Sequence, residues 1–197
     1  MRIAIYGGSF NPPHLGHAEA VRSVYDELKP DIVYIIPDHV PPHKEPEPGC
    51  PTPQQRLELC RLAFADIPNA VVSDIEIRRE GRSYTADTVR LLREKHPDDE
   101  FFLVLGTDML LCFDRWYQFE YLLEQCTLAV LPREDDQELA MVEKTRELER
   151  THGARVRLVA HTPLAMSSTE IRERLKLRLR AGLLDDTVYS CIIRNGY

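Results

Sequence analysis

The chain has 197 residues, 43% hydrophobic and 29% charged, with only 9 glycines, enough apolar material for one ordinary domain and too much for whole-chain disorder. A net charge of -7 at pH 7 excludes general nucleic-acid binding, which asks for a basic face, while leaving room for a local positive pocket. Cys50, Cys60, Cys112, Cys126 and Cys191 are odd in number and share no short spacing, so neither a zinc pattern nor a disulfide framework follows and reduced, buried thiols are expected.

Strand-like and helix-like segments alternate along the chain. Residues 2–6 form a short apolar run stopped by Gly7-Gly8, and 15–28 carry apolar residues at helical spacing. Residues 32–36 are a continuous β-branched run of the type found in strands covered on both faces. A loop over 37–53 then holds Pro37, Pro41, Pro42, Pro46, Pro48, Pro51 and Pro53, which excludes regular structure and points to a functional, mobile segment. Thr52-Pro53 reads as a cap and first helical residue, opening a helix over 53–66.

The pattern predicts a strand over 70–78, a helix over 85–96 and a buried strand over 101–105. A helical stretch over 107–125, with a break near Asp114, leads to a strand over 128–131. A charged helix over 136–151, a strand over 156–159 and helices over 168–181 and 184–194 complete the chain. The order predicts a single α/β domain over 1–197, Rossmann-like and doubly wound, with a mostly parallel sheet, helices on both faces, and C-terminal helices following the last strand. No stretch approaches a membrane span and the N-terminal apolar run is too short for a signal peptide, so a cytoplasmic location is expected.

Chemistry concentrates after the first strand. Gly7-Gly8 can turn tightly and approach a ligand closely, and a helix opening near His14 aims N–H groups and a positive dipole end at the same place. His14 and His17, three apart, can project on one side. A histidine pair is by default an ordinary surface feature, and zinc would require a third ligand that is not evident nearby. With a glycine turn, a strand before and a helix after, the economical reading is a polyphosphate site. The three-glycine spacing of a dinucleotide fingerprint is absent.

Gly7-Gly8-Ser9-Phe10-Asn11-Pro12-Pro13-His14-Leu15-Gly16-His17 resembles the ATP signature of the adenylyl- and cytidylyltransferases. Ser167-Ser168-Thr169-Glu170-Ile171-Arg172 is similar to their second signature, with Met166 where isoleucine is usual. Ile36-Pro37-Asp38-His39-Val40-Pro41-Pro42-His43-Lys44, Ser83-Tyr84-Thr85, Leu105-Gly106-Thr107-Asp108 and Arg115-Trp116-Tyr117 narrow the resemblance to the nicotinate-nucleotide adenylyltransferases. It spans residues 1 to about 180.

The resemblance implies adenylyl transfer from ATP to nicotinate mononucleotide, giving nicotinate adenine dinucleotide and pyrophosphate in NAD synthesis, without a covalent intermediate. His14, His17, Lys44 and Arg172 would be the catalytic groups. Gly7, Gly8, Ser9, Phe10, Gly106, Asp108, Ser167, Ser168 and Thr169 would bind ATP, although one of the two serines can also be a simple helix cap. Tyr84, Thr85, Trp116, Tyr117 and Arg133 would bind the mononucleotide, with Trp116 stacking on the pyridine and Thr85 facing its carboxylate. Around Arg133 the Arg-Pro-Gly often found in that family is missing. Mg2+ is expected with ATP, with no protein metal site, no nucleic-acid or membrane partner, and a homo-oligomer compatible with the reading. The alternatives are the same chemistry on nicotinamide mononucleotide or phosphopantetheine, and a nucleotide sensor without turnover.

Overall fold

The computed structural model describes residues 1–42, 50–79, 81–132, 137–164, 167–177, 179 and 182–197. Strands β1 (Arg2–Gly8), β2 (Ile32–Pro37), β3 (Ala70–Val72), β4 (Glu100–Gly106), β5 (Cys126–Leu131) and β6 (Val156–Leu158) form one sheet in the order β3-β2-β1-β4-β5-β6. Every pairing within it is parallel. The chain therefore winds outward from β1 in one direction and, after crossing over, from β4 in the other, which is the doubly wound arrangement the sequence predicts.

The continuous apolar strands are continuous because both faces are covered. On one face Ile3, Ile5, Leu103, Leu105, Leu128 and Val130 pack against α4 (Thr85–Lys95), α5 (Thr107–Leu111), α6 (Phe119–Gln125) and α7 (Glu138–His152). On the other, Ala4, Val33, Ile35, Phe102, Val104 and Ala129 pack against α1 (Leu15–Leu28) and α2 (Pro53–Ala63). A third cluster joins Leu59 of α2 to Ile171 of α8 (Ser168–Lys176) and to Val188 and Ile192 of α9 (Asp186–Asn195). α2 is thus apolar on two sides, one toward the sheet and one toward the C-terminal helices.

Helix starts follow their caps. Thr52 Oγ1 accepts from the Gln55 N–H at 3.3 Å while Gln55 Oε1 accepts from the Thr52 N–H at 2.7 Å, a reciprocal capping box with Pro53 at the first helical position. Asp185 Oδ1 accepts from the Thr187 N–H at 2.8 Å at the start of α9. No helix among the described residues is long and apolar enough to cross a membrane.

Several element boundaries differ from the sequence pattern. The strand expected over 70–78 is only Ala70–Val72, followed by the short helix α3 (Ile75–Arg79). Alternating Ile75 and Ile77 read as a strand, but Asp74 turns the chain: its carbonyl accepts from the Arg78 N–H at 2.9 Å and its carboxylate pairs with Arg78 at 2.6 Å. The stretch over 107–125 breaks near Asp114 as expected, into α5, a 3-10 turn (Phe113–Arg115) and α6, with Gln118 at φ 53 separating the last two. α8 ends at Lys176 rather than continuing to 181. Cys60 and Cys126 are buried within the two faces of the core and Cys191 beside α2, while Cys50 and Cys112 are partly exposed; burial pushes the Cys126 thiol up to about 12.

Candidate active site

The central crevice follows from strand register. β1 pairs with β2 as far as Gly8↔Pro37, and β4 pairs with β5 as far as Gly106↔Leu131. Between β1 and β4, however, pairing runs only from Arg2↔Glu100 to Ile5↔Leu103. The two central strands part company before their carboxyl ends, at the point where the chain order reverses and where open α/β sheets hold ligands.

Gly7 and Gly8 line one side of this opening. They continue β1 instead of forming a left-handed turn, and neither has a positive φ. A Cβ on Gly8 would meet the Phe10 ring at 3.4 Å, an ordinary contact distance, so that ring does not by itself demand a glycine. The left-handed residue is Phe10 itself, at φ 45, a conformation costly for a non-glycine residue and held by its surroundings. Its ring is 2% exposed and meets Tyr6 at 5.5 Å, His17 at 5.0 Å and Phe64 at 5.8 Å, all edge-on.

His14 caps α1 with extended backbone, and its N–H donates to His17 Nδ1 at 3.1 Å. An acceptor role for Nδ1 fixes the neutral His17 tautomer with its proton on Nε2, so that ring presents a donor from its far edge. The two imidazoles stack with centroids 3.7 Å apart and planes inclined by 27°. The first turn of α1 carries no acidic residue, leaving its positive end uncompensated.

The second motif lies beside the first despite the length of chain between them. Ser168 Oγ donates to the Pro12 carbonyl at 3.3 Å, and Arg172 donates to the Asn11 carbonyl at 3.0 Å and to Thr169 Oγ1 at 3.3 Å. The start of α8 therefore abuts the loop that leads into α1. Ser167 is the simple cap, its hydroxyl accepting from the Glu170 N–H at 3.1 Å.

The Tyr84-Thr85 and Trp116-Tyr117 segments also come together. Thr85 opens α4, and the Tyr84 ring lies 4.8 Å from that of Tyr117. Trp116 is partly buried, backed by Phe113 at 5.2 Å and otherwise packed against the core, while Tyr117 is half exposed. Gly106 ends β4 and caps α5, whose first turn carries Asp108. Lys44 and Arg133, together with Met166, lie outside the described residues.

Glu76 of α3 lies buried beneath the start of α4, accepting from Thr88 Oγ1 at 2.5 Å. Burial holds its carboxyl above the usual carboxylate range, against the opposing hydrogen bonds from Thr88 and Ser83 and the charge of Arg79. A carboxyl raised in the folded state contributes most below its ordinary value near 4.5 and loses that contribution as pH rises through the folded value. Glu76→Gln is accordingly expected to raise the melting temperature by a few degrees at pH 8, an advantage that disappears as pH falls to about 4. Melting curves across that range check it; a variant less stable than the parent at pH 8 would contradict it.

Two residues given no role from the sequence organise the site from below. Arg56, its side chain 6% exposed, and Asp38, 11% exposed, form an ion pair at 2.9 Å. Asp38 Oδ2 also accepts from Ser9 Oγ at 2.6 Å. Arg56 carried a signal in the sequence: with Leu59, Cys60 and Ala63 it shares the buried stripe of α2, where helical spacing calls for an apolar residue.

Known proteins fit this geometry. The cytidylyltransferase-like family matches residues 5–174. A Carboxydothermus hydrogenoformans protein named "probable nicotinate-nucleotide adenylyltransferase" is 34% identical over 195 residues, 98% of this chain and 96% of its own length. A Lachnoclostridium phytofermentans protein of the same name is 32% identical over 198 residues, covering 100% and 98%. Among solved structures, the Plasmodium falciparum nicotinic acid mononucleotide adenylyltransferase complexed with NaAD superposes with a TM-score of 0.79 at 17% identity, covering 99% of this chain and 96% of that one. At that identity the likeness speaks for the fold.

Proposed function

Because this chain belongs to the nicotinate-nucleotide adenylyltransferases, within the cytidylyltransferase-like family, we propose that its crevice is where ATP and nicotinate mononucleotide react. The enzyme transfers the adenylyl group of ATP to that acceptor, forming nicotinate adenine dinucleotide and pyrophosphate for NAD synthesis. The observation that carries this reading is the meeting of the two phosphate-type motifs, with Ser168 and Arg172 bonded to the Pro12 and Asn11 carbonyls just before α1.

The acceptor's 5′-phosphate oxygen attacks the α-phosphorus in line, a P–O bond forms, and the bond to the bridging oxygen breaks with its electron pair leaving on pyrophosphate. No protein nucleophile is needed, and catalysis is positioning plus stabilisation of charge. Gly7, Gly8, Ser9 and Phe10 let the α-phosphate approach the strand end. His17, donating from Nε2, and His14 beside it stabilise charge on the α-phosphate and the departing pyrophosphate. Arg172 forks onto the outer phosphates, where Ser167, Ser168 and Thr169 border the helix start. Lys44 closes on the phosphates from the proline loop, and Gly106 and Asp108 receive the adenylate ribose.

Trp116 stacks on the pyridine ring from its Phe113 backing. Thr85 and the backbone around Tyr84 and Tyr117 take the pyridine carboxylate, and Arg133 its phosphate. Nucleotidyltransferases of this family typically use a divalent metal with ATP. For this chain that ion would be Mg2+, entering with the ATP phosphates and supplying charge neutralisation there. The enzyme works in the cytoplasm, as one domain, and the reading accommodates a homo-oligomer.

Hydrogen-bond donors suit a carboxylate and mismatch an amide NH2, so selectivity for the acid resides near Thr85. Thr85→Ala is expected to reduce the acid-over-amide ratio of kcat/KM by about tenfold. Steady-state kinetics with both mononucleotides measure it, and an unchanged ratio would remove Thr85 from the acceptor pocket.

A further inference from the structure

Among the described residues Arg56 is the only arginine classed with the buried polar groups. Placing a guanidinium there costs desolvation that an apolar side chain would avoid, so its contacts must explain it. Besides its ion pair with Asp38, all its hydrogen bonds go to backbone carbonyls of the two loops that leave β1 and β2. It donates to the Ser9 carbonyl at 2.6 Å, to the Asp38 carbonyl at 2.7 Å and to the His39 carbonyl at 3.1 Å. The Ser9 carbonyl belongs to the peptide immediately before Phe10, the residue held at φ 45. A trans peptide aims its N–H opposite to its C=O, so tethering the Ser9 carbonyl points the Phe10 N–H away from the guanidinium.

The tethered segment continues to the acceptor side. The His39 N–H donates to Ser83 Oγ at 2.8 Å, and the Ser83 N–H donates to the Val40 carbonyl at 2.9 Å. Ser83 immediately precedes Tyr84-Thr85 at the start of α4. Residues 38–40 are thus bonded on one side to Arg56 and the Ser9 loop, and on the other to the start of the acceptor helix. We infer that Arg56 is a positioning residue that holds the donor loop (Ser9-Phe10) and the acceptor loop (Ser83–Thr85) in register through residues 38–40. It touches neither substrate; the inference rests on the adenylyl-transfer reading above and adds what keeps the two half-sites aligned for in-line attack.

Alignment matters more at the transition state than in either separate binding event. Arg56→Lys keeps a charge but has no planar fork to span three carbonyls. It is expected to lower kcat per folded molecule by at least about tenfold while the KM for ATP and for nicotinate mononucleotide each change by less than about threefold. Asp38→Asn, which keeps the side-chain volume and removes the ion pair, is expected to shift kcat in the same direction to a smaller extent. Both full-length variants are assayed beside the parent, with the folded fraction from circular dichroism. If the parent turns over nicotinate mononucleotide and kcat per folded Arg56→Lys or Asp38→Asn molecule matches it, Arg56 only stabilises the fold and the inference fails. A parent silent with that acceptor would instead defeat the adenylyl-transfer reading on which it rests.

Discussion

Turnover by a His17→Ala protein is expected to fall by about 10²–10³-fold, as when a single preorganised donor is lost from a transition-state charge site. Its affinity for ATP should change by only a few-fold. The His17 tautomer is fixed in advance by the His14 N–H at 3.1 Å, and its ring is wedged between Phe10 at 5.0 Å and His14 at 3.7 Å. A donor so constrained needs no reorganisation as charge develops, which makes its contribution larger in the transition state than in the ground state. Single-turnover rates with saturating substrates, beside calorimetric ATP binding, separate the two. A rate within twofold of the parent would take His17 out of the chemistry.

Arg172→Ala is expected to lower kcat/KM for ATP by about 10²-fold or more, through loss of a charge-assisted, two-pronged contact with phosphate. Arg172 also donates to the Asn11 carbonyl at 3.0 Å, so its removal loosens α8 from the loop before α1. That structural share is of the order of 1 kcal/mol, or about 2–4 °C in melting temperature for a chain of this size. Ser168→Ala removes a comparable docking bond to Pro12 and no charge. An Arg172→Ala enzyme no more impaired than Ser168→Ala would reduce the arginine to a structural tether.

The sequence carried the sheet, and it picked out two motif segments that the fold brings side by side, because both depend on local signals. Continuous β-branched runs ended by glycine or proline gave the central strands, and two short motifs on helix starts gave His14, His17, Ser168 and Arg172. The strand forecast over 70–78 failed where Ile75 and Ile77 alternate like a strand, although Asp74 closes a helical turn there. Gly7 and Gly8 were read as a turn, whereas they continue β1 and the left-handed residue is Phe10. Arg56 belongs to no quoted motif, and Asp38, although inside the proline-rich one, carries no role that its local pattern announces. Their meaning arises only when β1 and β2 lie side by side and α2 crosses beneath the loops that follow them. Long-range register of that kind is a property of the packed fold, and the sequence offered just one trace of it, a charge on an apolar stripe.

A nicotinate-nucleotide adenylyltransferase transfers an adenylyl group to the acid form of a pyridine mononucleotide. Purified protein incubated with ATP, Mg2+ and, separately, nicotinate mononucleotide, nicotinamide mononucleotide and phosphopantetheine tests that activity in this chain most directly, with pyrophosphate release and the dinucleotide product both followed. The expected result is stoichiometric pyrophosphate and nicotinate adenine dinucleotide, with kcat/KM highest for the acid. Silence with nicotinate mononucleotide, or a preference for the amide or for phosphopantetheine, would contradict it.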